Sequence, residues 1–155
     1  MVARLAPVTI VETAPTPTAV VAETTTWEEF PDRWPQLLEE VWTFVRTRGL
    51  GAGRNVMLYR DDRPNVEVGV ELDEQFVPAG RITRSSLPAG RAVTTIQRGP
   101  PSRDGIAAAH SAVLTWCEAN GYEVDGTRWE VYGHWLDDQD PDAYEIEIYW
   151  LVREG

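Results

Sequence analysis

The chain has 155 residues, 43% hydrophobic and 25% charged, a composition that excludes wholesale disorder and fits a single domain spanning residues 1–155. Its 25 acidic and 14 basic residues give a net charge of -11 at pH 7, which argues against direct nucleic-acid binding and favours cationic ligands or partners. Every basic residue is an arginine, so chemistry that requires a lysine, such as a Schiff base, is excluded.

The first half of the chain has the pattern of two short strands, a helix and two further strands. The predicted elements are strands at 8–11 and 19–22, a helix from about residue 32 to Gly49, and strands at Asn55–Tyr59 and 66–70. A capping signal at Thr26 and apolar side chains at helical spacing indicate the helix. Valines that alternate with polar residues indicate the last strand.

The second half follows the same order. The predicted elements are strands at 81–87 and 91–97, a helix with an apolar stripe from Ile106 to Cys117, a strand at 128–135, an aspartate-rich turn at 136–143 and a strand at 144–152. The helix ends at Gly121, where glycine is favoured because a helix commonly closes in the left-handed conformation.

The two halves also match at individual positions, which indicates an internal duplication. Tyr59 of the first half corresponds to Tyr132 of the second. We interpret residues 5–78 and 79–153 as two copies of one strand–helix–strand–strand module. The predicted fold class is α+β: one antiparallel sheet with two helices on one face and a central ligand pocket on the face left free.

Side-chain alternation predicts which residues lie on that free face. We expect the apolar sets of the last two strands, such as Trp129 and Ile148, to lie beneath the helices. The alternate residues of those strands, their counterparts in the first half and a tryptophan at a strand end are the candidate ligand-binding residues: Glu130, Tyr132, His134, Trp135, Glu147, Tyr149, Met57 and Tyr59, with Glu67 if the repeat extends that far.

Rings and carboxylates on one face suit a flat or lipophilic organic cation. A carboxylate held among rings is poorly solvated, so a delocalised cation neutralises it well, and each ring adds about 0.5–2 kcal/mol of cation–π attraction. A solvated outer face is the plain structural alternative for the glutamates. His110 lies on the apolar stripe of the second helix and is expected to be a core residue.

Other features restrict the compartment and the chemistry. Cys117 is the only cysteine, so an intrachain disulfide is impossible and a reducing, cytoplasmic compartment is expected. The N-terminal residues carry no signal-peptide pattern, and no stretch approaches the about 18 apolar residues of a membrane span. Two histidines without clustered partners predict no metal site, and no cofactor is expected.

Several motifs resemble the GyrI-like (gyrase-inhibitor-like) family, which includes the effector-binding domains of AraC- and MerR-type transcription activators and also stand-alone proteins. The resemblance covers about residues 5–153. It rests on the run L-P-A-G-R-A at 87–92 with Gly99 after it, on Asn120-Gly121 at a helix end, on W-E-V-Y at 129–132 and on E-I-Y-W-L-V at 147–152. Leu151 stands where the family usually has proline.

The resemblance implies a duplicated fold whose central pocket binds lipophilic, often cationic drugs through aromatic rings and a buried glutamate. Carried over by position, the glutamate is Glu130 with Glu147 beside it, and the rings are Tyr59, Tyr132 and Tyr149. No helix-turn-helix is found in the sequence. We therefore expect a stand-alone small-molecule-binding protein that contacts neither nucleic acid nor membranes directly.

Two alternatives stay open at this point. Some stand-alone members of the family are hydrolases that open the cyclopropane of natural products, using a glutamate as general base and a tyrosine as acid. Glu130 or Glu147, with Tyr132 or Tyr149, would take these roles here. The other alternative is an acidic module that binds a protein partner, as the family's namesake does.

Overall fold

The computed structural model describes residues 4–134 and 140–153, which contain two α-helices, one short 3-10 helix and nine strands. The helices are α1 (Phe30–Arg48) and α2 (Arg103–Asn120). The strands are β1 (Arg4–Leu5), β2 (Thr9–Thr13), β3 (Thr16–Thr24), β4 (Asn55–Tyr59), β5 (Asn65–Glu71), β6 (Ile82–Leu87), β7 (Gly90–Arg98), β8 (Val124–Tyr132) and β9 (Glu145–Val152). All strand pairs are antiparallel, so the fold is α+β as predicted.

The helix α1 begins at Phe30, slightly before the predicted start near residue 32. The predicted signal at Thr26 acts one turn earlier, where its Oγ1 accepts a hydrogen bond from the Glu29 N–H at 3.1 Å. Pro31 is tolerated in the first turn because the N–H that it lacks would have no partner within the helix.

The strand β8 differs most from its prediction. It begins at Val124 instead of residue 128, because Val124 also pairs with β9. Between Val124 and Arg128 the register of this pairing shifts, and Gly126 lies there with a φ of 108°. The strand ends at Tyr132, before the predicted end at Trp135. Trp135 itself and residues 136–139 of the predicted aspartate-rich turn lie outside the described residues, and the other half of that turn contains a 3-10 helix at Pro141–Ala143.

The strand order is symmetric about its centre. It runs β1-β7-β9-β8-β4-β5-β3-β6, with β2 also paired to β7. At the centre, Met57 of β4 lies directly opposite Glu130 of β8. Each half of the chain contributes its first strand to the other half, since β2 pairs with β7 and β6 pairs with β3. We interpret this symmetry as two copies of one module related by a pseudo-twofold axis between β4 and β8.

Both helices pack on the same face of the sheet and bury separate cores there. In α1, Leu37 and Val41 are fully buried, and in α2 Val113 is fully buried among Ile146 and Ile148 of β9. Each such side chain contributes about 1.5–3 kcal/mol on burial. Among the described residues, neither helix combines the length and apolar character needed to cross a membrane.

The opposite face carries an apolar core of its own, and this overturns the predicted faces of β4 and β8, whereas Ile148 of β9 lies beneath α2 as predicted. Trp129 and Val131 are buried there, whereas Glu130 pairs with Ile148 and so shares the face that the helices cover. The prediction that Glu130 and Tyr132 lie on a face without helices is therefore wrong. Apolar residues mark the helix face only when the other face is solvated, and here both faces bury apolar side chains.

Candidate functional site

A cavity of about 750 Å³ lies on the helix-covered face, between the N-terminal halves of α1 and α2. Its volume falls within the range of about 300–1,000 Å³ that is typical of small-molecule sites. The central pocket predicted from the sequence therefore exists, but on the side of the helices. Its aromatic lining residues are Trp27, Phe30, Trp34, Tyr59, Tyr132, Tyr144 and Trp150.

Equivalent positions of the two halves meet around this cavity. Trp34 and Leu38 of α1 line one side, and Ile106 and His110 of α2 line the other. In each helix the two residues are four apart and so lie on one face. Strands β4 and β8 form the floor, because their direct pairing places their same-face residues side by side.

The carboxylate of Glu130 is the central polar group of the floor. Glu130 is only 3% exposed. Its Oε1 accepts hydrogen bonds from the hydroxyls of Tyr132 at 2.6 Å and Tyr59 at 3.1 Å, and its Oε2 lies 2.7 Å from Nε2 of His110. Three side chains thus converge on one buried carboxylate.

The hydrogen bond at Nδ1 of His110 determines which of the two ring nitrogens carries the proton. The indole N–H of Trp150 donates to Nδ1 of His110 at 2.8 Å, so Nδ1 is the acceptor and Nε2 carries the proton. His110 is then a neutral donor to Glu130. All three groups bonded to the carboxylate are neutral, and they hold its negative charge in place without cancelling it.

The two tyrosines bonded to Glu130 are held as donors. Burial, followed by the nearby negative charge of Glu130, raises the pKa of Tyr59 well above its usual value, and the same causes raise the pKa of Tyr132. Both hydroxyls therefore stay protonated and donate to Glu130 throughout the neutral and mildly alkaline range.

The raised tyrosine pKa values predict alkaline destabilisation. The free energy of unfolding should fall as pH rises above about 10, because the unfolded chain then loses protons that folded Tyr59 and Tyr132 retain. Their stabilising contribution is complete below that pH and disappears towards the folded pKa values. Urea denaturation at stepwise pH, followed by tryptophan fluorescence, measures the slope. The double variant Tyr59→Phe, Tyr132→Phe should show a shallower alkaline slope, and an unchanged slope would refute this account.

Two predicted site residues lie on the face opposite the cavity. Glu147 pairs with Val131, and its carboxylate accepts hydrogen bonds from Nη1 of Arg54 and from the Tyr149 hydroxyl, each at 2.6 Å. The Tyr149 ring stacks on Trp129 with centroids 5.2 Å apart. The prediction that Glu147 and Tyr149 share a face with Glu130 is therefore wrong, because the β8–β9 register separates them.

The remaining candidates divide between the two faces. Met57 and Tyr59 line the cavity with Glu130 and Tyr132. Glu67 lies on the opposite face, where it bonds to Arg60 and Ser85. His134 is exposed and does not line the cavity. Trp135 lies outside the described residues.

Sequence reasoning missed several residues of the cavity. The apolar stripe indicated a core histidine at 110, and both ring nitrogens of His110 do have partners inside the protein, but the side chain also lines the cavity and bonds to Glu130. The sequence contains one signal for His110, because the interpretation as an internal repeat aligns it with Leu38 of the first helix. In the structure both residues line the cavity. Trp150 and Arg128, on the same face as Glu130, were also missed. Among the described residues, no group of three or more metal-ligating side chains is found.

Comparison with solved structures identifies similar folds. The crystal structure of the EcmrR C-terminal domain aligns with a TM-score of 0.76 at 21% identity, over 100% of both chains. EcmrR in a complex with DNA aligns with a TM-score of 0.74 at 21% identity, over 96% of this chain but only 58% of that chain. At this identity the likeness shows the fold alone.

Two further structures are more distant in sequence. SAV2435, determined bound to tetraphenylphosphonium, aligns with a TM-score of 0.66 at 12% identity, over 96% of this chain and 94% of that chain. A hydrolase encoded by lin2189 from Listeria innocua aligns with a TM-score of 0.61 at 10% identity, over 94% and 91%. The fold thus occurs in proteins described both as binders and as hydrolases.

A match to a protein-family model decides which family the chain belongs to. The comparison with curated proteins yields no match. The model of the GyrI-like small molecule binding domain matches residues 6–153, which is almost the whole chain. With the cavity between its two helices and the motifs that already resembled this family, the chain belongs to the GyrI-like small molecule binding domain family.

Proposed function

We propose that the chain binds lipophilic aromatic cations in the cavity between α1 and α2, with Glu130 as the anionic anchor. The observation that carries this proposal is the hydrogen-bonding of Glu130. The three side chains bonded to this buried carboxylate are neutral donors, so none of them balances its negative charge in a largely apolar cavity. A bound cation would neutralise that charge without having to displace a protein side chain.

The surrounding rings favour a cation whose charge is spread over a large surface. Aromatic faces attract cations through their quadrupoles, and a delocalised organic cation loses less hydration energy on burial than a compact ammonium. Tyr132 on the cavity floor and Trp34 on the α1 side both offer ring surface to the cavity that holds the anchor. Stacking and one charge impose little geometry, so we propose that several unrelated cations bind.

The geometry supports binding more than hydrolysis. A general base needs an oxygen lone pair directed at the reacting water. The two oxygens of Glu130 already accept three hydrogen bonds from side chains, out of about four that a carboxylate can accept. We therefore propose charge recognition, and not proton abstraction, as the role of this carboxylate.

Two ions of nearly the same shape and opposite charge test the proposal. Tetraphenylphosphonium and tetraphenylborate should be titrated against the protein, with quenching of its intrinsic tryptophan fluorescence as the signal. High salt should be used, because it screens the net charge of -11 while leaving a buried carboxylate largely unscreened. We expect the phosphonium to bind at least about tenfold more tightly than the borate. Equal affinities would show that the cavity selects shape and not charge.

A further inference from the structure

A second charge lines the same cavity, two residues before Glu130 on β8. The side chain of Arg128 is only 7% exposed. The register places Tyr59 and Trp150 on either side of it, and Trp27 covers it from the segment before α1. Its guanidinium carbon lies 4.9 Å from the Trp150 ring centroid, 5.4 Å from that of Trp27 and 5.6 Å from that of Tyr59. Three rings thus surround a cation that belongs to the protein.

The charge of Arg128 is only partly compensated. Nη2 lies 2.7 Å from Oδ1 of Asp62, whose side chain is 89% exposed, and Nη1 donates to the Gly126 carbonyl at 2.9 Å. An exposed carboxylate neutralises a buried guanidinium only in part, because water screens it. A guanidinium has five N–H donors, and among the described residues its Nε has no hydrogen-bond partner. Arg128 therefore retains both charge and donors that a ligand could use.

We propose that the cavity selects aromatic zwitterions, with the delocalised cation of the ligand near Glu130 and an anionic or strongly accepting group at Arg128. This inference rests on the proposed function above and specifies the class of cation. Same-face residues of a strand that are two apart lie about 6–7 Å from each other, a separation that a carboxylate arm on an aromatic cation can span. The arginine fork matches a carboxylate with two parallel hydrogen bonds.

Arg128 should act in opposite directions on two classes of ligand. For a cation without an anionic group, Arg128 is a like charge inside the cavity and already occupies three of the rings. For a zwitterion, it supplies a charge-assisted hydrogen bond. Its removal should therefore weaken binding of the zwitterion and leave binding of the simple cation unchanged or stronger. A purely structural role for Arg128 would change both affinities in the same direction.

Rhodamine B and its ethyl ester are the two probes for this test. They share one cationic ring system, but only rhodamine B has a free carboxylate. Dye fluorescence anisotropy gives both affinities for the wild type and for Arg128→Leu. The variant should lose about 10- to 100-fold in affinity for rhodamine B, the loss expected for one charge-assisted hydrogen bond, and none for the ester. Parallel changes for both dyes would overturn the inference.

A surface variant gives a second test that does not depend on how Arg128→Leu folds. Asp62→Asn removes the exposed partner of Arg128 and should raise the preference for rhodamine B over its ester several-fold. An unchanged preference contradicts the inference. If Glu130→Gln weakens binding of the ester but neither Arg128→Leu nor Asp62→Asn changes the preference between the two dyes, only the zwitterion inference fails. If it binds neither dye, the proposed function fails together with the inference.

Discussion

Replacing Glu130 with glutamine is expected to weaken tetraphenylphosphonium binding by about 100-fold, which corresponds to about 3 kcal/mol. The reason is the neutrality of the groups around this carboxylate. Because two tyrosines and a neutral histidine donate to it, no residue bonded to Glu130 could replace its charge. A cation in the variant cavity would lose its hydration without gaining an ion pair.

The glutamine variant should remain folded, because the amide can satisfy all three partners. Its oxygen can accept from Nε2 of His110, and its NH2 group can donate to the hydroxyl oxygens of Tyr59 and Tyr132 once these rotate. Urea denaturation of the variant should therefore give a free energy of unfolding close to that of the wild type. A loss of binding then reports the charge and not the fold.

Glu147→Gln is the matched control. It changes the net charge of the chain by the same amount, on the same pair of strands, but on the face opposite the cavity. Tryptophan quenching should give a phosphonium affinity close to that of the wild type for Glu147→Gln. If both variants lose affinity equally, the overall charge attracts the cation and Glu130 is not its anchor.

Replacing Gly69 with alanine is expected to lower the free energy of unfolding by about 3 kcal/mol or more. Gly69 lies in the middle of β5, between Val20 of β3 and Val56 of β4. A Cβ atom there would lie 1.9 Å from the carbonyl oxygen of Ala19 and 2.8 Å from Cα of Val20. Both are backbone atoms of the neighbouring strand, so no side-chain rotation relieves the overlap and β3 must move away from β5.

Gly51→Ala is the control for this substitution. The nearest atom to its added Cβ would be the Glu74 Oε1 at 3.9 Å, an ordinary contact with a flexible side chain. Urea denaturation followed by tryptophan fluorescence should place Gly51→Ala within about 1 kcal/mol of the wild type. A loss of less than about 1 kcal/mol for Gly69→Ala would mean that the strands separate easily at this point.

The sequence predicts the elements of this fold well and their faces only in part. Alternating valines at 66, 68 and 70 identify β5 correctly, because these residues lie under α1 while the alternate residues face the other way. In β8 the same rule fails. Trp129 and Val131 are as buried as the helix-side residues, since the opposite face has its own core, and the bulge at Gly126 has no clear signal in the sequence.

The site was predictable where it depends on pairing and unpredictable where it depends on packing. The internal repeat placed Met57 and Tyr59 with Glu130 and Tyr132, and the pairing of β4 with β8 does bring these four side chains together. The hydrogen bonds of His110 depend on where α2 rests on the sheet. That position is set by many tertiary contacts, none of which the spacing of apolar residues in α2 reveals.

The exchange of first strands between the two halves also sets the order in which the chain can fold. Strand β2 is synthesised early, but Thr9 pairs with Thr94, and a helix and four strands separate them in sequence. During synthesis β2 must therefore remain an unpaired segment until β7 has left the ribosome, and the edge of β3 that does not pair with β5 must stay open until β6 has done so. Neither half can complete its sheet alone, so the last contacts to form join residues that are distant in sequence, and both halves reach their final structure together.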